Sequence, residues 1–392
     1  MSAHPQYAPV YRIAINDTEI PAAVRSCVTS VRYEDGIEGA DQVQIALANP
    51  DLQFLRDHIR GLGAIAIPTA VNVNAIGNVG AVPGGLFDLD NKVTLALGYA
   101  PAPEEMFLGE ITGVAAGFPN GAIPTLTITA HDFLQRMTRG SVSRGFGPIP
   151  DAAVIAILSG ENGLLPLIDP SMIPLDALNT IGNYLFGTAT KQSGQSDFQL
   201  LNQIAARYDM QVSVDHHTLY LTRFLKEYEP RLTLRYGQSL LDFSPRVSSV
   251  GQPVGVSMRI SLREIRIDLL LSVFWDFDRE SIGVTVLPAQ AARVAPSVSK
   301  PVKESKYKAI RNAIGVANTV VGLIHELRQK INNRLTGSGS AVGDPRLRAG
   351  AVVRLEGLGA DFSRVYRVTK ASHTLDGGGY RTSFEVQREI IP

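Results

Sequence analysis

The chain has 392 residues, 45% of them hydrophobic and 19% charged. That is enough for two or three domains whose cores need no covalent staples. Lys plus Arg and Asp plus Glu both number 37, so the formal net charge is zero; the basic excess of a nucleic-acid binder is missing, and little net repulsion opposes self-association. The single cysteine, Cys27, excludes an internal disulfide and a cysteine-rich zinc site and reads as an apolar residue buried in a strand.

The first residues, MSAHPQYAPVYRI, carry no basic stretch followed by an apolar one, so no secretory signal is expected. No run of 18 apolar residues predicts a membrane helix. Residues 9–48 read as strands: PVYRIAIND ends at the turn pair Asn16-Asp17, and in DQVQIALANP Val43, Ile45 and Leu47 share one face. A short helix, DLQFLRDHI, is expected next, capped by Asn49 or Asp51. Residues 62–86 are apolar but rich in Gly, Pro and Asn, and read as an ordered loop packed on a neighbour. Strands resume with NKVTLALGYA, EEMFLGEITGVAAGF and IPTLTITAHDF, an antiparallel meander.

Beyond residue 140 the pattern changes. DAAVIAILSGENGLL and PLDALNTIGNYLF read as helices ending near Gly. QSDFQLLNQIAARYDM reads as a third, started by Gln195 or Ser196, with Phe198, Leu201, Ile204 and Ala205 on one stripe. QVSVDHHTLYLTRF reads as a hairpin turning at Asp215-His216-His217. Strands return at RLTLRYG, FSPRVSSVG, VGVSMRIS, EIRIDLLLSVFWDFD and SIGVTVLP; a long helix is expected over about 303–336, before three closing strands.

The closing strands echo the last three of the first domain. KVTLALGYA, MFLGEITGVAAGF and PTLTITA correspond to AVVRLEGLG, RVYRVTKASHTL and RTSFEV. Phe107-Leu108 matches Val365-Tyr366, Ile111-Thr112 matches Val368-Thr369, and each set turns at Gly into a Thr-containing strand. A duplicated β-unit lets three chains present six similar units.

The runs CVTSVRYEDGIEGADQVQIALANPD, VTLALGYAPAPEEMFLGEITGVAAGFP, PTLTITAHDFLQRMTRG, QSDFQLLNQIAARYDMQVSVD and VGDPRLRAGAVVRLEGLG…YRVTKASHTLDGGGYRTSFEVQRE, in that order, resemble the phage late control protein D family, the baseplate hub proteins of contractile tails and injection systems. The chain is also similar to the hub part of type VI secretion spike proteins. The likeness is weakest at 62–86, 160–190 and 285–320. It implies an α+β, predominantly β fold: a first tube-like β-barrel domain over 1–140, an α/β insert over 141–228, and a second tube-like β-barrel domain over 229–392 with a helical insertion. It implies a homotrimer forming a pseudo-six-fold ring with a lumen for DNA or cargo. A separate spike protein would dock on one side, since no neck or needle segment follows Pro392, and a tail tube or tube-initiator protein on the other. Baseplate wedge or sheath-adjacent proteins would lie around it. Assembly in the bacterial cytoplasm and a final place in a virion baseplate or injection particle follow.

No residue set reads as a catalytic, cofactor or metal site. Among the seven histidines, His131-Asp132 resembles a phosphohydrolase metal dyad, but it ends a strand with no further ligands at the spacing such a dyad needs; a strand-end hydrogen-bonding role is expected. His216-His217 reads as a solvated turn. Asp276, Asp278 and Glu280 share a face in a strand, and read as charged residues opposite Trp275 and Phe277. Lys303, Lys306, Lys308, Arg311, Arg328, Lys330 and Arg334 suggest a solvated helix face. No G-x-S-x-G, phosphate loop or H-E-x-x-H occurs. The competing readings are a tail-associated cell-wall hydrolase, which needs paired acids or a nucleophile with a base, and a carbohydrate-binding β-module, for which one Trp is thin support.

Overall fold

The computed structural model describes residues 8–37, 39–49, 85–186, 189–223, 229–248, 255–262, 267–276, 281–288, 305–310, 320–325, 327–328, 332 and 334–389. The helix expected in DLQFLRDHI and most of the loop over 62–86 lie outside these residues. The fold is α+β and predominantly β, as the sequence predicts. Its strands in chain order are β1 (Pro9–Ile15), β2 (Thr18–Glu19), β3 (Val28–Gly36), β4 (Gln42–Ala48), β5 (Lys92–Tyr99), β6 (Glu104–Gly117), β7 (Thr125–Asp132), β8 (Val142–Gly145), β9 (Leu165–Ile168), β10 (Lys191–Gln195) and β11 (Met210–Asp215). They continue with β12 (Thr218–Arg223), β13 (Leu232–Arg235), β14 (Leu240–Val247), β15 (Gly255–Leu262), β16 (Ile267–Asp276), β17 (Ser281–Pro288), β18 (Ser305–Ile310), β19 (Leu335–Val342), β20 (Val352–Glu356), β21 (Val365–Asp376) and β22 (Gly379–Gln387).

Two strand sets have the same order. In the first, neighbours run β5-β6-β7-β4-β3; in the second, β20-β21-β22-β19-β14. Registers agree as well as order. β3 skips Thr29 against β4, and β14 skips Leu241 against β19. β6 skips Thr112 against β7, and β21 skips Thr369 against β22. The Ile111-Thr112 and Val368-Thr369 pairs therefore mark one shared β-bulge, an extra residue that bends the strand. The Phe107-Leu108 match is one residue out of register: Gly109 pairs with Val93 where Tyr366 pairs with Val353, so Leu108 corresponds to Val365.

The resemblance between the sets is hidden in their first strands because volume moved between positions. Val31, Val43, Ile45 and Ile128 meet in the first core. Their register equivalents are Phe243, Gly337, Gly339 and Phe384. A Cβ on Gly337 would lie 2.4 Å from the Phe243 ring, so two phenyl rings occupy the space of two missing aliphatic side chains. The β4 and β7 sequences alternate buried and half-exposed residues, as a sheet with one covered face requires. Each buried Val, Leu or Ile on that face contributes about 1.5–3 kcal/mol.

The two sets are not separate sheets. β3 pairs antiparallel with the outer half of β21, from Lys370↔Gly36 to Asp376↔Ser30, which fuses them into one 13-stranded sheet. Among the described residues no pairing closes either set on itself.

Residues 142–223 combine helices with short strands. Helices Asp151–Glu161, Ile173–Phe186 and Asp197–Arg207 accompany the three-stranded sheet β11-β12-β9. Ser196 starts the last helix with a full capping box to Gln199, satisfying two otherwise orphaned N–H groups. Two expectations are corrected in the second half. β15, β16, β17 and β18 form a four-stranded sheet of their own, inserted between β14 and β19. The helix expected over 303–336 does not begin where its charges suggested: Ser305–Ile310 is a strand parallel to β15, and among the described residues of that stretch helix is found at 320–325, 327–328 and 332. Alternation in SKYKAI outweighed helix propensity once a strand edge was available. Cys27 is half-buried in the turn before β3 rather than within a strand.

Candidate functional site

The join of the two strand sets carries a cluster of buried and half-buried polar groups. β3 supplies Tyr33 and Asp35, the loop before β4 supplies Asp41, the end of β7 supplies Asp132, and the segment before β20 supplies Arg348. Arg348 Nε donates to Asp35 Oδ2 at 3.1 Å, and its Nη2 donates to the Tyr33 hydroxyl at 2.6 Å. The Tyr33 hydroxyl donates to Asp41 Oδ2 at 2.8 Å. The Ala349 N–H also donates to Asp35 Oδ2, at 3.1 Å. One guanidinium from the second half thus binds an acid and a phenol from the first, with its charge over the Tyr33 ring at 5.6 Å.

Behind this cluster His373 of β21 stacks on Tyr33, with ring centroids 5.8 Å apart. Its Nε2–H donates to the Leu347 carbonyl at 3.1 Å, leaving Nδ1 to accept from the Tyr380 and Thr382 hydroxyls at 2.8 and 3.0 Å. Burial, and then the Arg348 charge, push the His373 pKa down to about 3, so the ring is neutral. Burial acts oppositely on the acids. It raises Asp132 to about 7 and Asp41 well above the usual carboxylate range, with Asp35 and Asp132 adding repulsion at Asp41. Asp132 Oδ1 accepts from the Leu134 N–H at 3.1 Å, which starts the short helix Leu134–Thr138.

A cavity of about 690 Å³ opens beside the cluster. Asp35, Asp41 and Asp132 line it from one side, Arg346, Arg348 and Arg367 from another, and β11 from a third. A second cavity, about 740 Å³, runs over the sheet across the join. Arg348 and Asp35 bond one another across the join, while Arg346 bonds Asp344, so the Arg348 contacts act as a polar clamp between halves. Arg367 extends it by reaching Gln211 of β11 at 2.6 Å and Glu389 at 3.5 Å.

The residues weighed in the sequence are not brought together. His131 faces the other way from Asp132: its Nδ1 lies 2.6 Å from Thr112 Oγ1, beside the β6 bulge. His216, in the β11–β12 turn at φ 54°, is not merely solvated. Its two ring nitrogens contact Glu105 and Asp215, each at 2.8 Å. His217 stacks on Phe133 at 4.3 Å. Asp276 ends β16, while Asp278 and Glu280 lie outside the described residues. Among the basic residues of the expected helix, Arg328 is buried and bonds Asp209, which also contacts His325 at 3.0 Å. Among the described residues no group of three or more His, Cys, Asp or Glu is arranged to hold a metal, and no helix is long and apolar enough to cross a membrane. Sequence reasoning missed the seam because the bonds from Arg348 to Asp35 and Tyr33 span 313 and 315 positions. The sole hint was charge inside strand sequences that otherwise alternate.

A third feature is an exposed apolar face on helix Ile173–Phe186: Ile173, Leu178, Ile181, Tyr184 and Leu185 are between 47% and 76% exposed, with Leu165 and Leu167 of β9 similarly uncovered.

No family model and no curated protein matches this sequence. The fold does match solved structures: it is the fold of phage-type tail proteins. A tail protein from Neisseria meningitidis MC58 superposes with a TM-score of 0.60 over 97% of each chain at 10% identity. The 43 kDa tail protein of prophage MuSo2 from Shewanella oneidensis gives 0.60 over 97% of this chain and 98% of that one, also at 10% identity. An E. coli type VI secretion component, described as structurally similar to the T4 bacteriophage tail proteins gp27 and gp5, gives 0.52 over 97% and 80% at 10% identity.

Proposed function

We propose that the chain is a non-enzymatic, structural baseplate hub subunit of a contractile tail or injection system. Three copies form a pseudo-six-fold ring that joins a three-fold spike to a six-fold inner tube around a central lumen. The observation that carries this is the duplicated strand set, alike in order, register and both bulges, and fused edge to edge within one chain. A chain with two equivalent units converts threefold into sixfold symmetry without a second gene product. Residues 1–140 and 229–392 are the two tube-like units under this reading, and 141–228 is the insert. The buried seam makes the two units one rigid piece, suited to transmitting force rather than to turnover.

The partners are a separate spike protein, a tube or tube-initiator protein, and wedge or sheath-adjacent proteins. The apolar face of helix Ile173–Phe186 lies outside the strand sets and is available to such a partner. The test is the mass of the purified chain by light scattering together with electron microscopy of the assembled particle. A trimer located at the tail base is expected. A monomer absent from the particle overturns the reading.

A further inference from the structure

Within one chain, β21 does two jobs. Its first residues, Val365–Arg367, pair with β20, and its later ones, Lys370–Asp376, pair with β3. Its equivalent in the first set is β6. There Glu104–Glu110 pair with β5, and Ile111 exchanges bonds with Asp90 and Asn91 at 2.9 Å. Val368 makes the corresponding bonds to Gly350 and Ala351. Beyond that point the two strands differ. On the side away from β7, residues 113–117 of β6 have no strand partner among the described residues. The equivalent of β3 is β14, and among the described residues its only strand partner is β19, with Leu240 at its start also bridging Tyr236. Among the described residues, one chain therefore carries both halves of its internal join a second time without a strand pairing between them.

We propose that β14 of one copy pairs antiparallel with the outer half of β6 of the next copy, reproducing between chains the β3·β21 join within the chain. This rests on the ring reading above and assigns its edges. Carrying the internal register across gives Val114↔Val247, Ala115↔Arg246, Ala116↔Pro245, Gly117↔Ser244 and Phe118↔Phe243, from the equivalences Gly113 to Lys370 and Glu34 to Arg246.

The side chains fit this occupant. Phe118, just past β6, is 65% exposed, and Leu241 and Val247 of β14 are 47% and 61% exposed; uncovered apolar residues on open edges mark association sites. The register equivalent of Phe118 is Leu375, which packs into the first set's core at the internal join. Phe118 then enters the neighbour's second core, beside Phe243 and Phe384, which already stack with centroids 6.5 Å apart. Pro245 is accommodated by the same register. The Ile37 N–H bonds Thr369 at 3.0 Å, so alternate residues of β3, Tyr33 among them, face β21. Pro245, equivalent to Tyr33, turns its missing N–H to the open edge, where it costs β19 nothing. It leaves the interchain ladder one bond short. Because the contact is head-to-tail, it propagates from copy to copy until the ring closes.

The test uses the full chain with Cys27→Ala, carrying Ala115→Cys and Arg246→Cys. These two positions form a non-hydrogen-bonded pair, the kind whose Cα atoms lie about 4.5 Å apart and within disulfide reach. The control carries Ala115→Cys and Ser244→Cys, two residues out of register. Under mild oxidation the first variant yields a covalent trimer as its largest species, and the control at least tenfold less. Phe118→Lys in the native sequence, a change at an exposed site, lowers the mass of the assembly in solution. A trimer by light scattering with no crosslink in the first variant overturns the edge assignment and leaves the ring reading standing. Equal crosslinking in both variants overturns the register. A chain that stays monomeric overturns both.

Discussion

Replacing Asp132 by asparagine tests the seam most directly. The wild-type carboxyl is buried and its pKa is raised to about 7 from 3.8, so the folded chain holds a proton that the unfolded chain releases. A group raised in this way favours folding while protonated and opposes it once both states are ionised. With about 1.36 kcal/mol per pKa unit, the full penalty is about 4 kcal/mol, and about 2.5 kcal/mol of it develops between pH 5 and pH 8. Asparagine has no such penalty and keeps the oxygen that accepts the Leu134 N–H. His373, held down at about 3, has the opposite dependence: its contribution is complete above pH 6.5 and is lost as pH falls toward 3. It is present in both proteins, as is Asp41, so the comparison removes them to first order. Urea unfolding of both proteins at pH 5 and pH 8 gives the difference. Asp132→Asn should gain about 2.5 kcal/mol relative to wild type on going to pH 8. A difference that is flat with pH, or that moves toward the wild type, refutes the buried, protonated Asp132.

Two further variants probe the seam and the insert. Arg348→Met leaves Asp35 with the Ala349 N–H alone among its seam donors. Removing one partner of a buried pair costs about 3–5 kcal/mol, and the one-third exposure of Arg348 places the loss near about 3 kcal/mol, read from the urea midpoint at pH 7. Ser196→Ala removes the capping box of helix Asp197–Arg207 and should cost about 1 kcal/mol, seen as faster hydrogen exchange at the Gln199 amide.

Much of the fold was legible in short-range pattern. Alternation in QVQIALA and TLTITAHD identified half-buried strands, Gln195 or Ser196 before an apolar stripe identified a helix start, and Asp215-His216-His217 identified the turn of a hairpin. The Ile111-Thr112 and Val368-Thr369 echo disclosed the duplication, because a bulge needs one extra residue at one place and leaves a mark in the sequence. Between β14 and β19 the strands at VGVSMRIS, EIRIDLLLSVFWDFD and SIGVTVLP were legible, and Ser305–Ile310 was misread as the start of a helix. Strand and helix tendencies are close in SKYKAI, and pairing with β15 decided between them.

Sequence alone thus determined that the chain is β-rich and that its closing strands echo earlier ones, since both are written in neighbouring residues. Only tertiary structure decided how the duplicates meet. The β3·β21 join and the clamp of Arg348 on Tyr33 and Asp35 depend on residues hundreds of positions apart, and the elevated pKa of Asp132 depends on its burial in the fold. A strand's outward edge carries backbone groups that are the same in every residue but proline, so side chains alone do not tell which two edges meet.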